Sequence, residues 1–322
     1  MRLRLVPQET NFDFFRYRRA TFGASVVAVI AALLLWLTVG LNFGIDFLGG
    51  TTIRTESTQA VDVGAYRAAL QPLTLGDVAI SEVFDPTFGP ERNVAQIKIQ
   101  AQSGAEAVDG DTIAAIGEAL RAVDPGLVLP FPSVESVGPK VSGELIWTAI
   151  LAVLGAIAAM LVYIWLRFEW QFAVGAVAAL IHDVVLTIGV FSLLQIRFDQ
   201  ATIAALLTVL GYSINDTVVI FDRLRENLIK FKKTPLIDVM NRSVNETLSR
   251  TLMTSGTTLL ALIALLVLGG DVIRGFVFAI TWGVIVGTYS SVYVAKNVVL
   301  MLGIDRDPKA PAAGTKFADI DA

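Results

Sequence analysis

Six stretches of this chain stay apolar for about 20 residues or more, the length a helix needs to cross a hydrocarbon core of roughly 30 Å. They are residues 21–41, 144–166, 170–192, 200–222, 249–269 and 273–301. In lipid, each backbone N–H and C=O must be satisfied within its own segment, so such runs have almost no alternative to the helix. Only 17% of the 322 residues are charged and 54% are hydrophobic, too apolar a balance for a soluble chain of this size. The pattern predicts a multi-spanning α-helical membrane protein with six transmembrane helices. The first run is too long for the core of a secretory leader, and no small-x-small cleavage site follows it, which predicts an anchor. Arg18-Arg19 before it reads as positive-inside flanking charge, not as a twin-arginine signal.

The basic residues orient the spans. Arg2, Arg4, Arg16, Arg18 and Arg19 precede the first. Arg223, Arg225, Lys230, Lys232, Lys233 and Arg242 lie between the fourth and fifth, and Arg306, Lys309 and Lys316 follow the sixth. The connections at 195–200 and 269–274 are basic-poor. Both termini are therefore expected in the cytoplasm. The chain divides into a cytoplasmic N-terminus (1–20), a first span (21–41), an external domain (42–143), spans two to six (144–301) and a cytoplasmic tail (302–322).

The external segment is soluble in composition, with thirteen acidic residues against six basic ones. It reads as strand 51–56, helix 62–71, strand 77–84, strand 93–102, helix 111–123 and strand 131–138. Apolar residues recur near period two through Val94, Ile97 and Ile99. Ile113, Ile116, Leu120 and Val123 form one face of the second helix, with Asp111 as its expected N-cap. Asp85-Pro86-Thr87-Phe88-Gly89-Pro90 is turn chemistry. The order β-α-β-β-α-β predicts an α+β, ferredoxin-like external domain, a fold that by itself identifies no function.

Chemistry is scarce. The absence of cysteine excludes disulfides and thiol catalysis, and a single histidine, His182, argues against a histidine-rich metal site. No cofactor, metal site or enzyme activity is implied. The outlier is Asp216, about 9 Å from Asp222, which with Arg223 marks the cytoplasmic interface. A charge there costs roughly 2.5–3.5 kcal/mol on insertion scales, and intramembrane acids mark ion pathways. A permanently paired carboxylate that joins helices is the competing reading. Arg250, at the start of the fifth run, either pairs with Asp216 or snorkels to the headgroups. Ser213, Asn215 and Thr254 are candidates for a supporting polar network. The hydroxyls of Thr247, Ser249, Thr251, Ser255, Thr257 and Thr258 either line a water file or pack helices closely. Gly283 and Gly287 form a G-x-x-x-G packing signal. His182-Asp183 is a second ionisable pair, open to a relay or a plain hydrogen bond. Gly44, Asp46, Gly49 and Gly50 suit a hinge at the domain junction.

Two motifs stand in order: Gly44-Ile45-Asp46-Phe47-Leu48-Gly49-Gly50 after the first run, and GYSINDTVVIFDRLREN from Gly211 to Asn227. With six spans and a domain of about 100 residues after the first, the chain resembles the SecD/SecF family of bacterial protein-export membrane proteins, within the resistance-nodulation-division superfamily, over nearly its whole length. The resemblance implies a subunit in the bacterial inner membrane, its α+β ferredoxin-like domain periplasmic, that uses the proton-motive force to complete translocation of an unfolded polypeptide. Its partners would be a SecD-type subunit, the SecYEG translocon and the lipid bilayer, with no nucleic acid. It also implies Asp216 and Arg250 as proton-coupling residues. A half-transporter of the same superfamily for a small molecule or lipid, or a non-transporting scaffold of the translocon, remain alternatives.

Overall fold

A computed structural model describes residues 10–76, 78–83, 93–100, 108–268 and 271–304. The turn expected at 85–90 and most of the expected C-terminal tail lie outside the described residues. Among them, six helices are long and apolar enough to cross a membrane: Arg18–Thr38, Gly143–Arg167, Trp170–Leu194, Gln200–Lys230, Leu236–Leu268 and Ile273–Leu302.

Helix α1 (Arg18–Thr38) leads through a single turn, α2 (Ile45–Leu48), into the small domain. There, β1 (Gly50–Ser57), α3 (Val63–Leu70), β2 (Val78–Val83), β3 (Asn93–Gln100), α4 (Gly110–Val123) and β4 (Ser133–Val137) follow one another. The four strands form one sheet in the order β2-β3-β1-β4, with every neighbouring pair antiparallel. This is the split β-α-β arrangement that the element order predicts. Strand β1 is central: Ile53 faces Ile97 on one side and Val134 on the other. Ile53, Ile97 and Ile99 meet Tyr66 and Leu70 of α3 and Ile116 and Leu120 of α4 in one apolar core.

Two details correct the sequence reading. The N-cap of α4 is Asp109, not Asp111; its carboxylate accepts from Thr112 N at 2.7 Å. Asp111 falls in the first turn instead. The Thr112 hydroxyl first, and its backbone N–H second, hold the Asp109 carboxyl below its ordinary value. Val123 at the end of α4 is exposed, whereas Leu120 in the same turn is buried in the core.

The other membrane helices are α5 (Pro139–Arg167), α6 (Trp170–Leu194), α7 (Gln200–Lys230), α8 (Leu236–Leu268) and α9 (Asp271–Ser290). A π-helical segment, Ser291–Ala295, then runs into α10 (Lys296–Leu302). Helix α7 packs against α5, α6, α8 and α9. Helices α1 and α5 present Val26, Val27, Ile30, Leu34, Trp147, Leu151 and Leu154 outward, a face suited to lipid or another apolar surface.

The connection at 223–250 is mostly helix, with α7 continuing to Lys230 and α8 beginning at Leu236. Its charges pair within each helix and, through Arg223 and Glu246, across the two, and so sustain them beyond the apolar runs. Arg223 Nε donates to Glu246 Oε2 at 2.6 Å, Arg242 Nε to Glu246 Oε1 at 2.9 Å, and Asn227 Nδ2 to Glu246 Oε2 at 2.7 Å.

Candidate functional site

Asp216 sits near the middle of α7 on the face turned into the bundle, only 4% exposed. The neighbouring turns Ser213, Thr217 and Ile220 are buried with it, while Gly211 and Asn215 face outward. Its Oδ2 has no hydrogen-bond partner within 3.5 Å; the hydroxyl of Thr251 on α8, buried and otherwise unpartnered, is the donor that bears on it. Arg250 acts on the carboxylate through space. Among the described residues it forms no ion pair with Asp216 within 4.0 Å, and its side chain lies on the exposed side of α8. Adjacent helical residues point about 100° apart, so Thr251 takes the inward position and Arg250 the flank.

The expected polar network is arranged differently from the sequence reading. Ser213 donates to Asp183 Oδ2 at 2.6 Å, not to Asp216. Asn215 is exposed. Thr254 Oγ1 donates to the carbonyl of Arg250 at 2.9 Å within its own helix. The reason is again angular: positions 213 and 215 flank 216 on the helical wheel and meet different neighbours. Most α8 hydroxyls are bonded within their own helix. Thr247 and Thr257 donate to carbonyls one turn back, and Ser255 joins Thr288 of α9 at 2.7 Å.

The second buried acid is the opposite case. Asp183 on α6 is fully buried. Its Oδ2 accepts from Ser213 on α7 and, at 2.8 Å, from Ser290 on α9; its Oδ1 lies 2.9 Å from His182 Nδ1. Gly287 permits this approach, since a Cβ there would lie 3.1 Å from Ser213 Cβ and 3.5 Å from Asp183 Oδ2. One turn away, a Cβ at Gly283 would collide with Val209 of α7. The G-x-x-x-G pair thus seats α9 on α7, as the sequence predicts.

At the domain junction, Gly44 N donates to Phe198 O at 2.8 Å, and Asp46 Oδ2 accepts from Gln200 N at 3.0 Å. Asp46 therefore adds a second carboxylate to the start of α7, whose own N-cap is Asp199. Gly49 and Gly50 have φ of 80° and 150°, a backbone turn that side chains disfavour. Phe43, Phe47 and Phe198 stack edge to face or tilted above it. The motif is thus docked on the α6–α7 connection.

Sequence reasoning missed Lys296. It lies inside the sixth apolar run, and the rule that singled out Asp216, an ionisable residue within a span, applies to it equally. It is 1% exposed, its Nζ has no hydrogen-bond partner, and it lies over the rings of Phe15, Phe14 and Tyr293 at 4.1, 5.0 and 5.6 Å.

Comparison with known proteins places this arrangement. Residues 116–305 match the family described as protein export membrane protein SecD/SecF, C-terminal, and residues 34–61 match the SecD/SecF GG motif. The protein translocase subunit SecF of Cereibacter sphaeroides is 67% identical over 100% of this chain and 99% of its own length. That of Rhodobacter capsulatus is 62% identical over 98% and 96%. Among solved structures, SecDF from Thermus, described as a translocon-associated membrane protein, aligns with 92% of this chain at 36% identity and a TM-score of 0.76. A SecDF crystal structure in a super-membrane-facing form aligns with 91% at a TM-score of 0.70. The chain spans 39% of those two longer chains. It belongs to the SecD/SecF family of protein-export membrane proteins, on the SecF branch.

Proposed function

We propose that this chain is the smaller half of a two-subunit motor that couples proton entry to the completion of polypeptide export across the bacterial inner membrane. The carrying observation is Asp216: a carboxylate oxygen buried among membrane helices with no hydrogen bond of ordinary length, beside a threonine hydroxyl that has no other partner. A buried polar group left in this state is costly, and a carboxylate that binds a transferable proton relieves the cost in one of its two states. Arg250 stays charged in both states, so it biases the site without carrying the proton.

In this reading both termini face the cytoplasm, as the basic residues flanking the spans require. The small domain then faces the periplasm. Protons from outside reach Asp216 along the face shared with a SecD-type partner. Neutralising Asp216 frees it from Arg250 and lets α7 and α8 shift. Helix α7 begins at Asp199, beside the glycine-rich junction that holds the domain, so a shift of α7 is transmitted to a domain that grips the emerging chain next to the SecYEG translocon. One charge falling through 100 mV releases about 2.3 kcal/mol, enough to bias a helix rearrangement of that size. The role is transport, without a bond-making step.

The test is export in vesicles containing the chain, its partner and the translocon. Asp216→Asn is expected to co-purify with the partner and to lose the gradient-dependent stage. Export that still responds to the gradient in this variant would refute the proposal and favour a non-transporting scaffold.

A further inference from the structure

Residues 10–17 lie across the same end of the bundle that carries the start of α1 and the end of α10. They are held there by side chains of α8. Asn245 clamps one residue of this arm from both sides: its Oδ1 accepts from Phe12 N and its Nδ2 donates to Phe12 O, each at 2.8 Å. Asn241 Oδ1 accepts from Phe14 N at 2.9 Å. These bonds satisfy backbone groups that an arm in solution would leave to water, so they define a seat.

The arm inserts two rings. Phe14 packs on Ile220 of α7, Val244 of α8 and Val292 of the π segment, beside Tyr293. Phe15 enters the larger cluster with Phe172, Phe221 and Met240. Lys296 stands between them with its ammonium over both rings. A desolvated ammonium over aromatic faces is attracted to them, and it loses the faces of Phe14 and Phe15 if the arm lifts. Asp13 of the arm acts on it through space.

The position of Phe14 gives the arm a role. Ile220 is four residues beyond Asp216 on α7, about 6 Å along the axis, and both side chains are buried. Phe14 therefore caps the apolar plug on the cytoplasmic side of the acid. We propose that residues 10–17 are a gate: Phe14 closes the exit from Asp216 to the cytoplasm, and Lys296 and Asn245 hold it shut. The claim rests on the assignment of Asp216 as the proton-bearing group. Because α7, α8 and the π segment each contribute one wall, relative movement of these elements loosens the gate. A π segment at this place fits, since such segments occur where helices must re-aim side chains at functional sites.

The chain contains no cysteine, so a single introduced thiol reports without background. Ile220→Cys in inverted vesicles, with the partner present, is exposed to a membrane-impermeant maleimide. Adding Phe14→Ala or Asn245→Ala is expected to speed labelling by about tenfold or more, as a local opening that becomes populated. Phe14→Leu, which keeps an apolar plug, should stay near the starting rate. Lys296→Gln should behave like Phe14→Ala. Labelling that is equally slow in all four overturns the gate. Proton leak into dye-loaded proteoliposomes separates the two claims. A leak opened by Phe14→Ala and abolished by Asp216→Asn supports both. Faster labelling with a leak indifferent to Asp216→Asn keeps the gate and overturns the assignment of Asp216.

Discussion

Two buried carboxylates lie on neighbouring helices of this bundle, and their surroundings differ in kind. Asp183 accepts hydrogen bonds from three helices' worth of side chains and is sealed by Gly287. Asp216, on the next helix, has one oxygen with no partner within 3.5 Å, and the Thr251 hydroxyl bears on it from α8. A saturated acid ties helices together, because any change leaves its donors unpaired. An unsaturated one is held in a state that a proton improves. Burial alone does not separate the two roles; hydrogen-bond satisfaction does.

The contrast can be broken by substitution. Asp183→Ala is expected to have the largest effect on stability, about 3 kcal/mol, since it strands the Ser213 hydroxyl and His182 in the core and leaves Ser290 only the Gly287 carbonyl. Melting of the detergent-solubilised complex measures it, and a shift no greater than that of a surface control would remove the structural role. Gly283→Ala comes next. The added methyl meets both γ-carbons of Val209, and overpacking of this kind costs about 2 kcal/mol. The same melting assay should show α7 and α9 loosened.

The small domain offers a third acid for comparison. Asp124 is buried and accepts from Tyr66 Oη at 2.6 Å, Ser57 Oγ at 2.9 Å and Gly126 N at 3.0 Å. It resembles Asp183 in being saturated. Tyr66→Phe should therefore cost about 1–2 kcal/mol of domain stability, read by chemical denaturation or hydrogen exchange of residues in β1 and α4. Burial first, and the Asp124 carboxylate second, push the Tyr66 phenol well above its ordinary 10.0. The folded domain thus holds this proton more tightly than the unfolded chain. The stabilisation is complete below pH 10 and falls away as pH rises through the raised value. Tyr66→Phe should flatten that alkaline loss.

Thr251→Val is the smallest structural change. Its hydroxyl makes no hydrogen bond, so replacing it with a methyl should alter stability by less than about 0.5 kcal/mol. A large loss of stability would mean that the threonine is part of a satisfied network after all.

Much of this architecture is legible from residue order. The apolar runs locate six helices, and alternation at Val94, Ile97 and Ile99 locates a strand that pairs as the β-α-β-β-α-β order requires. The ends of α7 and α8 are not legible, because Arg223, Glu226, Arg242 and Glu246 look like a solvated connection until the Arg223–Glu246 bridge between the helices is seen. Asp109 and Asp111 are equally good caps by type, and only the extended backbone at Asp109 decides between them. The candidate site is half legible. Asp216 stands out as an acid in a span, yet its lack of partners depends on where neighbouring helices turn their side chains. Ser213 illustrates this: three residues from Asp216, it serves Asp183 instead. Lys296 was readable by the same rule as Asp216. Its aromatic cage was not, since Phe14 and Phe15 reach it from some 280 residues away in sequence, a distance that only tertiary packing closes.

The most direct test is proton flux into proteoliposomes holding the chain and its partner, comparing Asp216→Asn with Thr251→Val and the unmodified protein. The account predicts that Asp216→Asn abolishes flux while melting at the same temperature as the unmodified chain. Flux that persists undiminished in Asp216→Asn would contradict it.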